Sequence, residues 1–152
     1  MERIIQQGIR GFNEMKVQIL NNISECIDGY NPILIDNNDI DLDVPDHSIS
    51  DVLLINTIES VSYSQIDAFL DKMARLLRIN GTIKITGLDI NCLLIDYINQ
   101  KIDCAVMNEI LYSRKAIYDC KLLSEQLTAR GMKIDKLSFK GSTYELHATR
   151  HN

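Results

Sequence analysis

The sequence predicts one doubly wound α/β domain, its sheet mostly parallel and closed by an antiparallel C-terminal strand. Three observations predict it. First, Val52-Leu53-Leu54-Ile55 is a continuous apolar run, short enough for a strand buried on both faces. Second, Ile66, Phe69, Leu70, Met73, Leu76 and Leu77 recur at helical spacing before a second strand-like run, Thr82–Thr86. Strand, helix, strand in this order is a right-handed crossover between parallel strands, and a parallel sheet needs helices on both faces. Third, Lys133–Phe139 and Thr143–Thr149 flank Lys140-Gly141-Ser142, a hairpin signal.

The chain has 152 residues, enough for a single domain spanning 1–152. No apolar run approaches the length of a membrane span, and the first seven residues lack a signal-peptide core. Cys26, Cys92, Cys104 and Cys120 are widely spaced without a C-x-x-C pair, which reads as reduced thiols in a cytosolic protein. Net charge is −5, unevenly placed: residues 25–51 hold eight acids and no Lys or Arg, while residues 114–152 hold eight bases and four acids. An acidic chain without a basic stripe is a poor partner for nucleic acid, and nothing points to a membrane partner. Oligomeric state is not legible.

Taken in order, residues 1–14 read as a short helical extension with Ile4, Ile5, Ile9 and Phe12 on one side, weakened by Gly8 and Gly11. Val17–Leu20 reads as the first strand. Asn21 to Tyr30 is a polar connection turned at Asp28-Gly29. The second strand runs over Ile33–Asp36, entered at Pro32. The central helix is expected over Tyr63–Arg78, with Ser62 and Gln65 as a capping box, Arg75 and Arg78 in its last turns and Asn80-Gly81 as its stop. Leu53, Ile55, Phe69, Leu70, Met73, Leu77, Ile83 and Ile85 are the expected common core. Leu93–Ile98 and Val106–Leu111 suggest two further helices. Asp119 caps a last helix through Arg130, with Leu122, Leu123 and Leu127 inward and Gly131 as its stop. Tyr144, Leu146 and Ala148 share one face of the final strand.

These residues carry a resemblance. Pro45, Asp46, Ser48 and Asp51, then Ile58-Glu59-Ser60, then Phe69-Leu70, Arg75–Arg78 and Asn80–Ile85 are similar to the second half of class I S-adenosylmethionine-dependent methyltransferases. In that family the stretches read PF-x-D-x-S-x-D, LEH and FLxExxRvLKPGGxLxI. Val17–Leu20 and Gly29–Asp36 resemble the first half of a compact variety. The C-terminal helix and strand pair, ending at Arg150, resemble that family's closing segment. The resemblance implies a single Rossmann-like methyltransferase domain and S-adenosylmethionine as cofactor. It implies transfer of a methyl group to a small-molecule or glycan acceptor, with no catalytic side chain assigned. It departs from the family at three places. Asn21-Asn22-Ile23 stands where the family has Gly-x-Gly; glycines let the backbone approach the cofactor, and β-branched Ile23 does not. Ser60 replaces the His of LEH. Residues 112–116, Tyr-Ser-Arg-Lys-Ala, replace a loop that often holds His. The cofactor site is therefore expected to be altered, weakened or lost. The alternative is a non-catalytic relative acting as a partner or structural subunit.

The expected cofactor-binding residues are Asn21, Asn22, Ile23, Asp36, Asp39, Asp41, Asn56 and Thr57. An acid at the end of the second strand, Asp36, suits two ribose hydroxyls; the other reading is a solvated strand end. By resemblance, Asp39 or Asp41 accepts the adenine amino group, and the alignment does not choose between them. The Asp39–Val44 alternation invites a calcium reading, but Val44 occupies the glycine position and Ser50 the closing Glu position, so no metal is expected. Asn56 and Thr57 close a strand at its carboxyl end. Arg114 and Lys115 either face an anionic substrate or are solvated. His47, His147 and His151 read as surface residues.

Overall fold

The computed structural model of the chain describes residues 14–21, 23–35 and 44–151. The helical extension expected at the N-terminus, and Asn22, Asp36, Asp39 and Asp41 of the expected site, lie outside them.

Six strands form one sheet: β1 (Met15–Leu20), β2 (Asn31–Leu34), β3 (Ile49–Ile55), β4 (Leu77–Leu88), β5 (Met132–Lys140) and β6 (Thr143–Arg150). Their order is β2-β1-β3-β4-β6-β5. The first four in that order run parallel, and β6 runs antiparallel to both β4 and β5. The helices are α1 (Ile66–Leu76), α2 (Ile90–Ile98), α3 (Cys104–Tyr112) and α4 (Cys120–Ala129). No described helix is long and apolar enough to cross a membrane.

The core lies between α1, α4 and one face of the sheet. Val17, Ile19, Val52, Leu54, Ile83, Ile85, Leu146 and Ala148 supply the sheet side; Phe69, Leu70, Met73, Leu123 and Leu127 supply the helices. The opposite face carries Gln18, Leu53, Lys84 and His147 in one cross-strand row, as the period of two requires. The expected core therefore needs two corrections. Leu53 is buried, but on this second face, outside the main cluster, and Ile55 is 38% exposed at the carboxyl end of β3. Leu122 is likewise 49% exposed, because the buried stripe of α4 runs Cys120, Leu123, Leu127.

The central helix is shorter than its periodicity suggests. A 3₁₀ turn occupies Tyr63–Gln65, and α1 begins only at Ile66 with no side-chain cap. The Gln65 amide bonds to the Ser62 carbonyl at 2.9 Å, so the backbone itself satisfies the donor that a capping box would serve. At the other end, Leu77 already pairs with Ile49 as strand, and the ladder resumes at Thr82 opposite Asp51. Arg78 and Asn80-Gly81 therefore belong to an irregularity inside β4 rather than to the helix end. Asn80 takes φ 64°, and a Cβ on Gly81 would lie 2.8 Å from the Arg78 carbonyl oxygen. Helix and strand fuse because Arg150 reaches beneath them, donating to the Ala74 and Leu77 carbonyls at 2.6 and 2.5 Å. Those carbonyls would otherwise be orphans of the helix C-terminus.

Candidate functional site

β2 and β3 flank β1 on opposite sides, so the chain changes direction of winding between β1 and β3. In open α/β sheets such a switch point opens a crevice at the strands' carboxyl ends. Here those ends are Leu20, Leu34, Ile55 and Leu88.

The structure brings Asn21, Asn56 and Thr57 to this place. Asn21 follows β1 and is exposed. Asn56 follows β3 at φ 54°, exposed, its amide donating to the Thr86 carbonyl at 2.9 Å. Asn tolerates that left-handed backbone, which turns the chain sharply off the strand. Thr57 is 2% exposed, and its hydroxyl donates to the Ile19 carbonyl at 2.9 Å, stitching the β3 turn to the end of β1. Its hydroxyl is thus committed to the backbone of β1 and β3. Exposed Leu34 and Ile55 add apolar surface at the ends of β2 and β3. Exposed amides beside apolar side chains are a lining that suits a nucleoside.

The connection from β1 to β2 holds no α-helix among the described residues, only a 3₁₀ turn at Ile23–Glu25. Gln18 holds it in place. Its Oε1 accepts the Ile27 amide at 2.7 Å and its Nε2 donates to the Glu25 carbonyl at 3.4 Å. Among the described residues no helix N-terminus follows β1, so that source of donors for an anionic ligand group is not offered there.

Beyond the crevice, Glu59 is buried, 4% exposed, and both carboxylate oxygens are engaged. Oε1 accepts the Leu88 amide at 2.7 Å, and Oε2 accepts Arg114 Nε at 2.5 Å. The Glu59 carbonyl accepts the Lys115 and Ala116 amides. Arg114, its side chain 27% exposed, is therefore turned onto Glu59, each Glu59 oxygen accepts a hydrogen bond, and Lys115 is exposed. Tyr118 donates to the Val61 carbonyl at 2.5 Å and stacks on Tyr63. Burial, then the nearby Tyr63, pushes the Tyr118 phenol up to about 12.

Sequence reasoning missed Asp89, whose signal is an acid directly before a helical run. Asp89 is 3% exposed. Its Oδ2 accepts the Cys92 amide at 3.0 Å and its Oδ1 the Cys120 amide at 2.9 Å, so one carboxylate caps both α2 and α4. Burial works to raise its pKa, but the hydrogen bonds from Cys120 and Cys92 outweigh it and hold the carboxyl below the usual value. Asp119 and the Cys120 thiol lie close enough to form a three-ligand cluster with it. Asp119, however, spends its oxygens on the Lys121 and Leu122 amides and on Asn91. Burial, then hydrogen bonding to Asp89, pushes the Cys120 thiol up to about 12.

The histidines sit elsewhere. The His47 amide bonds to the Arg75 carbonyl, at the opposite end of the sheet, where its ring meets Arg150. His147 is half-buried on the second face, 2.6 Å from Glu145. His151 is exposed.

No family model matches the sequence, and no curated protein does. Solved structures do match. A S-adenosylmethionine-dependent methyltransferase from Methanosarcina mazei superposes with TM-score 0.58 at 13% identity, over 80% of this chain and 68% of that one. A putative methyltransferase from Haloferax volcanii, solved in complex with a methyltransferase activator, gives 0.58 at 11%, over 85% and 64%. A possible histamine N-methyltransferase from Thermotoga maritima gives 0.55 at 17%, over 80% and 65%. The chain thus spans about two thirds of the length of each. At these identities the likeness establishes the fold, an α/β Rossmann-like methyltransferase fold.

Proposed function

We propose that this protein binds S-adenosylmethionine in the crevice between β1 and β3 and acts as a methyltransferase on a small-molecule or glycan acceptor. The observation that carries this reading is the switch point itself, where exposed Asn21 and Asn56 and apolar Leu34 and Ile55 all stand at the carboxyl ends of neighbouring parallel strands. When bound, the cofactor supplies a methyl group on a sulfonium, and transfer needs mainly positioning. Asn21 and Asn56 offer amide donors and acceptors, with Asn22 and Ile23 completing the loop after β1. Asp36 holds the ribose, and Asp39 or Asp41 the adenine. Thr57 ties the β3 turn to the end of β1. The acid-rich stretch 25–51 and the lack of a basic stripe disfavour a nucleic-acid acceptor.

Two observations favour a second reading, a non-catalytic methyltransferase-fold protein that serves as a partner or structural subunit. Among the described residues the β1–β2 connection offers no helix N-terminus, and both Glu59 carboxylate oxygens already accept hydrogen bonds. Calorimetric titration with S-adenosylmethionine and S-adenosylhomocysteine separates the two. A saturable isotherm, expected to be weak because of Ile23, supports the cofactor reading. Absence of saturable heat up to about 1 mM ligand overturns it and leaves the second.

A further inference from the structure

The α2–α3 insert leaves the sheet at the carboxyl end of β4 and returns beside the turn that follows β3. One residue holds both of its roots. At the departing root, Glu59 Oε1 accepts the Leu88 amide at 2.7 Å. At the returning root, Glu59 Oε2 accepts Arg114 Nε at 2.5 Å, and the Glu59 carbonyl accepts the Lys115 and Ala116 amides at 3.0 and 3.2 Å. Space for the carboxylate depends on Gly87, where a Cβ would come within 3.3 Å of Oε1. Between the roots, α2 is also tied by Asp89, which accepts the Cys92 and Cys120 amides, and by Asp96, which accepts the Ser142 hydroxyl. Each helix is nine residues long, and they bury Leu93 and Met107 respectively. Helices of that length are marginal without tertiary support. Glu59 also lies three residues after Asn56, the left-handed turn at the crevice.

We propose that Glu59 is a positioning residue that clasps the insert against the ligand end of the sheet as one unit, with Arg114 as its counter-grip. What orders the Asn56–Thr57 turn then also orders the insert. This coupling, but not the clasp, rests on the reading that the crevice binds S-adenosylmethionine.

Amide hydrogen exchange on the full chain tests both, comparing wild type, Glu59→Gln and Arg114→Gln, each with and without S-adenosylhomocysteine. Arg114→Gln leaves the Glu59–Leu88 bond intact, so the comparison survives if Glu59→Gln folds poorly. Without ligand, residues 89–112 should exchange roughly ten- to a hundredfold faster in the variants, while β3, β4 and α1 keep their rates. Unchanged exchange in the insert, or equal acceleration everywhere, overturns the clasp. With ligand, wild type should gain protection at residues 56–57 and throughout the insert, and the variants at 56–57 alone. Protection of wild type at 56–57 without the insert overturns the coupling. No protection anywhere in wild type is a failure of the cofactor reading, and the ligand-free comparison still decides the clasp.

Discussion

The Asp89 carboxylate serves the first turns of two helices at once. Asp89→Asn keeps one carbonyl oxygen and must turn an amide donor toward the other backbone N–H. At pH 7 the loss should be about 1–3 kcal/mol in a urea titration. The sign with pH follows from the lowered pKa. The carboxylate stabilises the fold above the unfolded value, near 4, and its contribution is lost as pH falls through the lower folded value. The gap between wild type and variant should therefore close below about pH 4; a gap that widened on acidification would show that the carboxylate is not the stabilising form. At the crevice, Asp36→Ala should weaken S-adenosylmethionine binding roughly ten- to a hundredfold through lost ribose hydrogen bonds. Asn22→Gly with Ile23→Gly should tighten it by restoring backbone approach. Calorimetry of the two variants beside wild type checks both; unchanged affinity in each would place the ligand elsewhere.

Among the elements, α1 and the insert stand at opposite ends of a stability range. α1 buries Ile66, Phe69, Leu70, Met73 and Leu76 against the sheet, and Arg130 of the α4 end ties it down through Asp71 and Asp67. Phe69 is inside the central cluster, so Phe69→Ala should cost about 3–5 kcal/mol. A loss under about 1 kcal/mol in denaturant would contradict that enclosure. The insert instead leaves Leu94, Ile95, Ile98, Leu111 and Tyr112 exposed. Few buried contacts mean opening at low free energy, so the insert should lose amide protection well before α1 in mild urea.

For the molecule as a whole, two tyrosines report on integrity at alkaline pH. Tyr118 is raised to about 12 and Tyr144 is raised further, in both cases chiefly by burial. A raised folded pKa means stability that is fully present below the unfolded value, near 10, and lost as pH rises toward the folded one. Of the six tyrosines, the buried pair should resist ionisation past about pH 11 and ionise together with loss of near-ultraviolet circular dichroism. Smooth ionisation of all six near pH 10 with the fold intact would show that Tyr144 is not enclosed.

By itself, the sequence determined the crossover and the closing hairpin. Period-two alternation in Thr82–Thr86 and Thr143–Thr149, and the helical stripe through Phe69 and Met73, are local patterns that only one arrangement buries. The Asp119 cap and the Gly131 stop were equally legible, since each acts within a few residues of its own position. Tertiary structure alone decided where the central helix ends, because the orphan carbonyls of Ala74 and Leu77 are met by Arg150, far along the chain. It alone sent Ile55 to the surface, because Ile55 shares the Leu53 face of β3, opposite the one that α1 and α4 cover. It alone paired buried Glu59 with partly exposed Arg114, and made Asp89 the common cap of two helices. Each of these depends on a hydrogen-bond partner distant in sequence, and only the folded chain supplies it.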